Sequence, residues 1–404
     1  MPKDIESKLS RSAKSMKRSA IREILKLLQN PEMISFAGGL PSPESFPVEE
    51  VKDISQSILE NQGAAALQYG TTEGDPLLRE MILKRHSDQG LEAAQENLAI
   101  STGSQQALDI LSKIFIDPGD VIICGLPSYL GGLSSFNVYG AKPEGIPFDE
   151  YGMRADLLRE KIEKLIAGNE KIKFIYVIPD FQNPAGITMP ESRRKEILKI
   201  ADEFDLLVLE DSPYRDIRFE GKAQKLMYEM DQSGRVITLF TFSKIFAPGF
   251  RLAWMLADPL IIDKFIMAKQ SADICSPVFV QKIAAEYMKR GLLEKNLGKT
   301  IELYRSRRDH MLECFNKYMP EGVSWTKPEG GLFLFLRLPE EMNADEVFDL
   351  AVKNNVAFVK GSVFHCNDCG KNTMRINFSY CSKETITTGI KRLSGVISDY
   401  MKMH

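Results

Sequence analysis

The sequence predicts an α/β fold: a large domain with a mostly parallel sheet covered by helices on both faces, plus a smaller α+β domain built from both chain ends. Three observations predict it. Between about residues 98 and 256, short apolar runs alternate with amphipathic segments, as buried parallel strands joined through helices do. After about residue 290 the character changes to long helical stretches with a few strand-like runs between turns. The chain of 404 residues also exceeds one domain of ~150 residues. The boundaries expected are an N-terminal segment at 1–50 that joins the small domain, a large domain at 51–290 and a small C-terminal domain at 291–404.

The elements follow in order. In the first thirty residues Ile5, Leu9, Ala13, Met16, Ala20, Ile24 and Leu27 recur every three or four positions, an apolar helical stripe. Eight basic residues share this segment with Asp4, Glu6 and Glu23. A transit peptide would be poorer in acidic residues, so a helix of the folded body is the reading preferred. The strand-like runs are Leu98–Ile100, Val121–Ile123, Phe174–Ile178, Leu206–Leu209, Val236–Phe240 and Leu252–Leu256, with helical patterns such as Gln106–Phe115 and Glu191–Phe204 between them. Beyond 290, a strand pair is expected around Val323–Trp325 and Gly331–Leu338, then a helix near Ala344–Asn354 and strands at Val356–Lys360 and Met374–Phe378.

Composition removes several function classes. The chain is 44% hydrophobic and 26% charged, and 52 Lys and Arg against 55 Asp and Glu give a net charge of −3. That balance argues against a nucleic-acid partner and against an acidic disordered chain. No apolar run approaches the ~18 residues of a membrane span, so a cytoplasmic globular protein is expected. The six cysteines are too sparse for a secreted disulfide framework. Cys366 and Cys369, beside His365, have the spacing of a redox or metal pair. Free thiols, a local disulfide and a metal site all remain open there, although a structural zinc needs more ligands.

In an open α/β sheet, ligands bind beyond the carboxyl ends of the strands. Five such ends carry chemistry: Thr102–Gln106, Gly125–Tyr129, Pro179–Gly186, Glu210–Tyr214 and Thr241–Arg251. Gly103, Ser104 and Gln105 open a helix, where N–H groups and the dipole favour a phosphate. Thr241, Ser243 and Arg251 suit the same dianion. Tyr129 offers a flat face, Asp211 a carboxylate, and Asn183 and Tyr214 hydrogen bonds. Lys244 ends an apolar strand, where desolvation and neighbouring cations make an amine nucleophilic. A flat ring with a basic nitrogen, a phosphate and a carbonyl for the lysine describes pyridoxal phosphate. The dinucleotide alternative would want G-x-G-x-x-G after the first strand, and the sequence has none there. Each element alone is weak, since Asn-Pro-x-Gly and Asp-x-Pro-Tyr are ordinary turns and most lysines are solvated. Their ordered combination at successive strand ends is the signal.

With those residues in hand, the chain resembles the class I/II aminotransferases of the pyridoxal-phosphate fold type I superfamily, over about Ser19 to Arg392. Ser243–Arg251 resembles the lysine-bearing motif, and Asn183–Gly186, Asp211–Tyr214 and Met374–Phe378 are the other expected blocks. The resemblance implies that Lys244 bonds the cofactor and shuttles the substrate proton, and that Asp211 keeps the ring nitrogen protonated. It implies that Asn183 and Tyr214 bond the phenolic oxygen, Tyr129 stacks on the ring, and Gly103, Ser104, Gln105, Thr241, Ser243 and Arg251 hold the phosphate. Arg375 would clamp the substrate carboxylate, with Asn183 alongside. Tyr69 would reach the phosphate of the neighbouring subunit, which implies a homodimer with shared sites.

Ser19–Leu25 and Ser35–Pro43 further resemble the 2-aminoadipate, kynurenine and aromatic amino acid aminotransferase group. There the N-terminal segment covers the pocket, Arg22 can meet an acidic side chain, and Gly38 and Gly39 line the substrate site. A solvated helix charge is the other reading of Arg22. The loop Lys360–His365 departs from the family pattern, which usually has proline before the glycine and a second aromatic after Phe364. Transamination between an L-amino acid and a 2-oxo acid is therefore expected. A β-elimination enzyme on the same scaffold, or a non-enzymatic regulator, are the alternatives, and Lys244 and Asp211 would serve the lyase equally well.

Overall fold

The computed structural model describes residues 4–16, 30–367 and 369–403. Its strands in chain order are β1 (Ile34–Ser35), β2 (Leu98–Ser101), β3 (Val121–Leu126), β4 (Lys142–Asp149), β5 (Gly152–Met153), β6 (Ile172–Val177) and β7 (Leu207–Asp211). Then come β8 (Val236–Thr241), β9 (Ala253–Leu256), β10 (Ser324–Trp325), β11 (Phe333–Arg337), β12 (Val356–Ala357), β13 (Val359–Lys360) and β14 (Thr373–Asn377). One sheet has the order β2-β9-β8-β7-β6-β3-β4-β5. Its members β4, β3, β6, β7 and β8 are parallel. β2 points the same way, because it is antiparallel to β9 and β9 is antiparallel to β8.

Alternate residues along each strand face opposite ways, and both faces are apolar. Ile122, Phe174, Leu209, Ile237 and Leu239 meet Leu108, Leu111, Phe136 and Phe265 from the helices Ser104–Phe115, Leu130–Val138 and Pro259–Gln270. Val121, Ile123, Ile175, Val208 and Val236 meet Leu158, Ile162 and Ile197 from the helices Ala155–Ala167 and Glu191–Glu203. Each such buried side chain contributes about 1.5–3 kcal/mol, and the two layers hold the central strands rigid beneath their carboxyl ends.

The second sheet, β10-β11-β14-β13, is antiparallel. The helices Leu292–Tyr318 and Lys383–Met403 supply Met311, Phe315, Ile390 and Leu393 to the core shared with Leu334, Leu336, Met374 and Ile376. β1, from the N-terminal part of the chain, pairs in parallel with β12.

Three differences from the sequence reading have local causes. The run Leu252–Leu256 forms β9, but antiparallel, because the connection from β8 is a short turn through residues 242–252 with no room for a crossover helix. β4 was not foreseen: Pro143, Gly145 and Pro147 interrupt its apolar pattern, although it pairs along its length with β3. The N-terminal stripe is not one helix within the described residues. A 3-10 turn at Glu6–Lys8 is followed by a helix at Arg11–Ser15 capped by the Ser10 side chain, and Met16 is extended. Leu9 is extended and ends the first turn, and Ser10 starts the next, overriding the periodicity. Among the described residues no helix is long and apolar enough to cross a membrane, and no cluster of His, Cys, Asp and Glu could hold a metal ion.

Candidate active site

Since β2, β3, β6, β7 and β8 share one direction, the five strand ends named from the sequence lie on one edge of the sheet. A cavity of about 370 Å³ opens there. Ser104, Gln105, Tyr129, Asn183, Asp211 and Tyr214 line it, as do Thr241, Ser243, Lys244 and Arg251. The small domain contributes Arg375 and Phe333, and the N-terminal part of the chain contributes Gly39.

At one end the helix Ser104–Phe115 begins with no side chain capping its N-terminus, so its first-turn donors stay available to an anion. Gly103 there has φ +80°, and a Cβ on it would lie 2.4 Å from Arg251 Nη2. Only glycine lets the guanidinium pass. Arg251 itself is held left-handed at φ 49°, and its Nη1 donates to Ser243 Oγ at 3.2 Å and to Pro248 O at 3.1 Å. Thr241 Oγ1 accepts from Ser243 N at 3.1 Å, starting the short turn that presents Lys244. The Gln105 side chain turns sideways instead, donating to Gly131 O at 2.9 Å and Ser135 Oγ at 2.8 Å. It also accepts from the Tyr129 hydroxyl at 3.4 Å, which fixes the tyrosine ring along the wall.

At the other end Asp211, the last residue of β7, is buried. The Tyr176 hydroxyl donates to its Oδ2 at 2.9 Å, while its Oδ1 is buried with no hydrogen-bond partner among the described residues. Burial pushes this carboxyl up to about 7, and the Tyr176 bond moderates the rise. A buried acceptor left open in this way is costly unless something occupies it.

Lys244 Nζ donates to Gly39 O at 2.8 Å. Burial, then the Arg375 and Arg251 charges, lower its ammonium to about 8, so a neutral amine is within reach near physiological pH. Arg375 Nη1 donates to Asn183 Oδ1 at 2.8 Å and Nη2 to Ala37 O at 2.6 Å, and its Nε has no partner among the described residues. The guanidinium carbon lies 4.2 Å from the Phe333 ring centroid and 5.1 Å from that of Phe364, a position that suits a cation awaiting a counter-ion. Asn183 Nδ2 donates to the Tyr214 hydroxyl at 3.2 Å. Beneath Asn183, Gln182 bonds Pro127 O at 2.9 Å, and the fully buried Arg194 pairs with Asp180 at 2.9 Å.

The other sequence candidates fall elsewhere. Gly38 lines an adjoining cavity of about 520 Å³ with Leu40 and Tyr380. Tyr69 is 78% exposed and does not line this cavity. Arg22 and the Ser19–Leu25 segment lie outside the described residues. Lys360 sits 4.9 Å from the Phe348 ring centroid, and His365 Nδ1 lies 2.9 Å from Gly361 O; neither lines the cavity. Sequence reasoning missed Tyr176 and Phe333, both hidden in apolar runs read only as strand core. The signal available was the lone hydroxyl in Phe174–Ile178, since a buried tyrosine needs a partner.

The model of the family described as aminotransferase class I and II matches residues 31–393. An aromatic-amino-acid aminotransferase of Thermococcus litoralis is 45% identical over 99% of this chain and 96% of its own length. The crystal structure of a Pyrococcus horikoshii kynurenine aminotransferase in complex with PMP superposes with a TM-score of 0.94, at 45% identity and 98% coverage of both chains. An alpha-aminoadipate aminotransferase of Thermus thermophilus, complexed with N-(5'-phosphopyridoxyl)-L-leucine, gives a TM-score of 0.92 at 34% identity, with all of both chains covered.

Proposed function

The chain belongs to the class I and II aminotransferases and is a pyridoxal-phosphate-dependent transaminase of fold type I; from that premise we propose that it takes the amino group from a broad set of L-amino acids. Aromatic donors, 2-aminoadipate and aliphatic donors are included, and the acceptor is a 2-oxo acid such as 2-oxoglutarate in a ping-pong cycle. The relatives' names span aromatic, kynurenine and aminoadipate donors, which supports the breadth.

The residues present fit the cofactor. One observation carries this: an orphaned buried carboxylate oxygen, a lysine lowered to about 8 and an uncapped helix N-terminus beside Arg251 all meet one cavity. A ring with a basic nitrogen and a phosphate needs a carboxylate and an anion cradle, and the lysine suits its carbonyl. Asp211 would hold the ring nitrogen, Tyr129 the ring face, and Asn183 and Tyr214 the phenolic oxygen. Gly103, Ser104, Gln105, Thr241, Ser243 and Arg251 would form the cradle for the phosphate. When bound, pyridoxal phosphate supplies an aldehyde carbon for covalent attachment and a protonated ring that takes up electrons from the substrate. Arg375 orients the substrate through its carboxylate, with Gly39 beside it and Gly38 toward the side chain. Lys244 Nζ, as a neutral amine, removes the proton at the substrate Cα and later returns one. Tyr69 completes the phosphate site of a partner subunit in a homodimer.

Lys244→Ala tests the reading. The variant is expected to fold with unchanged circular dichroism, to lose borohydride-fixed cofactor mass on the chain, and to lose turnover. Normal turnover in that variant would overturn the assignment.

A further inference from the structure

Cys124 and Cys366 were left unused by the site. Cys124 is buried within β3, and Cys366 is half-buried just after the turn Gly361–Phe364 of the small domain. Although 242 residues separate them, their Sγ atoms are 3.9 Å apart, with Cys124 donating to Cys366. A disulfide needs ~2.05 Å, so the two sulfurs must move closer together for a bond to form. The same loop is already fastened to the large domain, because Ser128 N donates to Phe364 O at 2.7 Å. Ser128 precedes Tyr129, and the Phe364 ring lies 5.1 Å from the Arg375 guanidinium carbon. The thiol pair therefore adjoins both walls of the cavity.

We propose that Cys124 and Cys366 form a redox-modifiable pair, converted by a low-molecular-weight disulfide into a cross-link that ties the Gly361–Phe364 loop to β3 and alters the pocket wall where Phe364 sits beside Arg375. The Cys366 thiolate attacks one sulfur of the reagent, forming a mixed disulfide and expelling one thiolate. Cys124, giving up its proton to solvent, then attacks Cys366 Sγ and expels the second. Two protein thiols are oxidised to one S–S bond, and one small disulfide is reduced to two thiols. The partial exposure of Cys366 suits the first attack and the burial of Cys124 suits the second. The Cys124 S–H bond, and more weakly the Lys161 charge, favour the Cys366 thiolate, while burial and Glu144 oppose it; Lys161 and Glu144 pair with each other at 2.9 Å. Cys369, exposed in the same loop, is the competing partner.

The experiment incubates the holoenzyme with oxidised glutathione, alkylates remaining thiols, and maps the digested peptides by mass. Donor kinetics are measured before and after. A linked peptide pair joining Cys124 to Cys366, two hydrogens lighter than its parts, is expected. KM for the amino donor rises severalfold with a smaller change in kcat, and dithiothreitol reverses both. Cys369→Ser behaves as wild type, whereas Cys366→Ser keeps its activity in the oxidant. A Cys366–Cys369 link, glutathione remaining on Cys366, or no linked pair would overturn the proposal. A linked pair with unchanged KM would remove its regulatory half. The kinetic arm rests on the proposed transaminase activity. A linked pair in a protein inactive toward every donor would contradict that activity and leave the cross-link standing.

Discussion

Asp211 illustrates how one residue is tuned by what surrounds it. With Oδ2 occupied by Tyr176 and Oδ1 open, its ionisation inside the fold is opposed by burial. A ring-nitrogen cation at ~4 Å would contribute about 4 kcal/mol at an effective dielectric near 20, at most about three decades in rate. Asp211→Asn should therefore lower kcat by up to ~10³ and leave KM less affected. The cofactor-free protein gives a second readout. Because the folded-state value lies above the ordinary 3.8, at about 7, the stability cost of ionising Asp211 is absent below pH 3.8. It grows as pH rises through that window and is complete above it. Relative to Asp211→Asn, the wild-type apoprotein should lose denaturant stability from about pH 4 to about pH 7. A gain across that window would contradict the burial argument. Lys244 and Asp211 stood out in the sequence because charge at the end of an apolar run is conspicuous, whereas Arg375, inside its run, was reached only through the resemblance of Met374–Phe378 to a family block. Tyr176 did not stand out, because a hydroxyl inside such a run looks like core until its partner is seen.

Among elements, the helix beginning at Ser104 and the turn carrying Arg251 touch at Gly103, where the phosphate cradle is proposed. Gly103→Ala would place a methyl 2.4 Å from Arg251 Nη2 at φ +80°, a backbone region that costs an L-residue about 1–2 kcal/mol. Displacing Arg251 forfeits a charge-assisted bond of about 1.5–3 kcal/mol, so cofactor affinity should fall roughly 10- to 100-fold. An absorbance titration of apoprotein with pyridoxal phosphate measures it, and unchanged affinity would remove Arg251 from the cradle. The six apolar runs between 98 and 256 all became strands, because burial on both faces leaves a continuous apolar signature. β4 escaped because two prolines and a glycine mask it. The run at Val356–Lys360 splits into β12 and β13, which pair with different sheets, and a single-run reading has no means of seeing that divergence.

At the scale of the whole molecule, the cavity gathers groups from the large sheet, the small domain and the segment around Gly39, so the site depends on how these parts close together. Tyr69, at 78% exposed, and Leu67, at 74%, are large side chains without cover in the single chain, as a subunit contact would require. Two variants, each defective in one proposed half of a shared site, test the homodimer. Lys244→Ala and Tyr69→Ala should each be impaired alone, and unfolding and refolding them together should restore activity through mixed dimers. No recovery, with mixed dimers demonstrated by mass, would place Tyr69 outside the partner's site. The two-part architecture was legible in the sequence from the change of pattern near residue 290. The contribution of Phe333 and Phe364 around Arg375 was not, since it depends on how β11 and the Gly361–Phe364 turn approach the large domain.

Lys244, Asp211 and Arg375 are proposed to serve one transamination site, which is tested most directly by the absorbance spectrum of purified holoenzyme before and after 2-aminoadipate, with no 2-oxo acid present. The yellow cofactor band is expected to convert to that of the pyridoxamine form as one equivalent of 2-oxo acid is released per site, with no such conversion in Lys244→Ala. A protein that takes up no cofactor when pyridoxal phosphate is supplied, or whose band ignores aminoadipate, aromatic and aliphatic donors alike, would contradict that assignment.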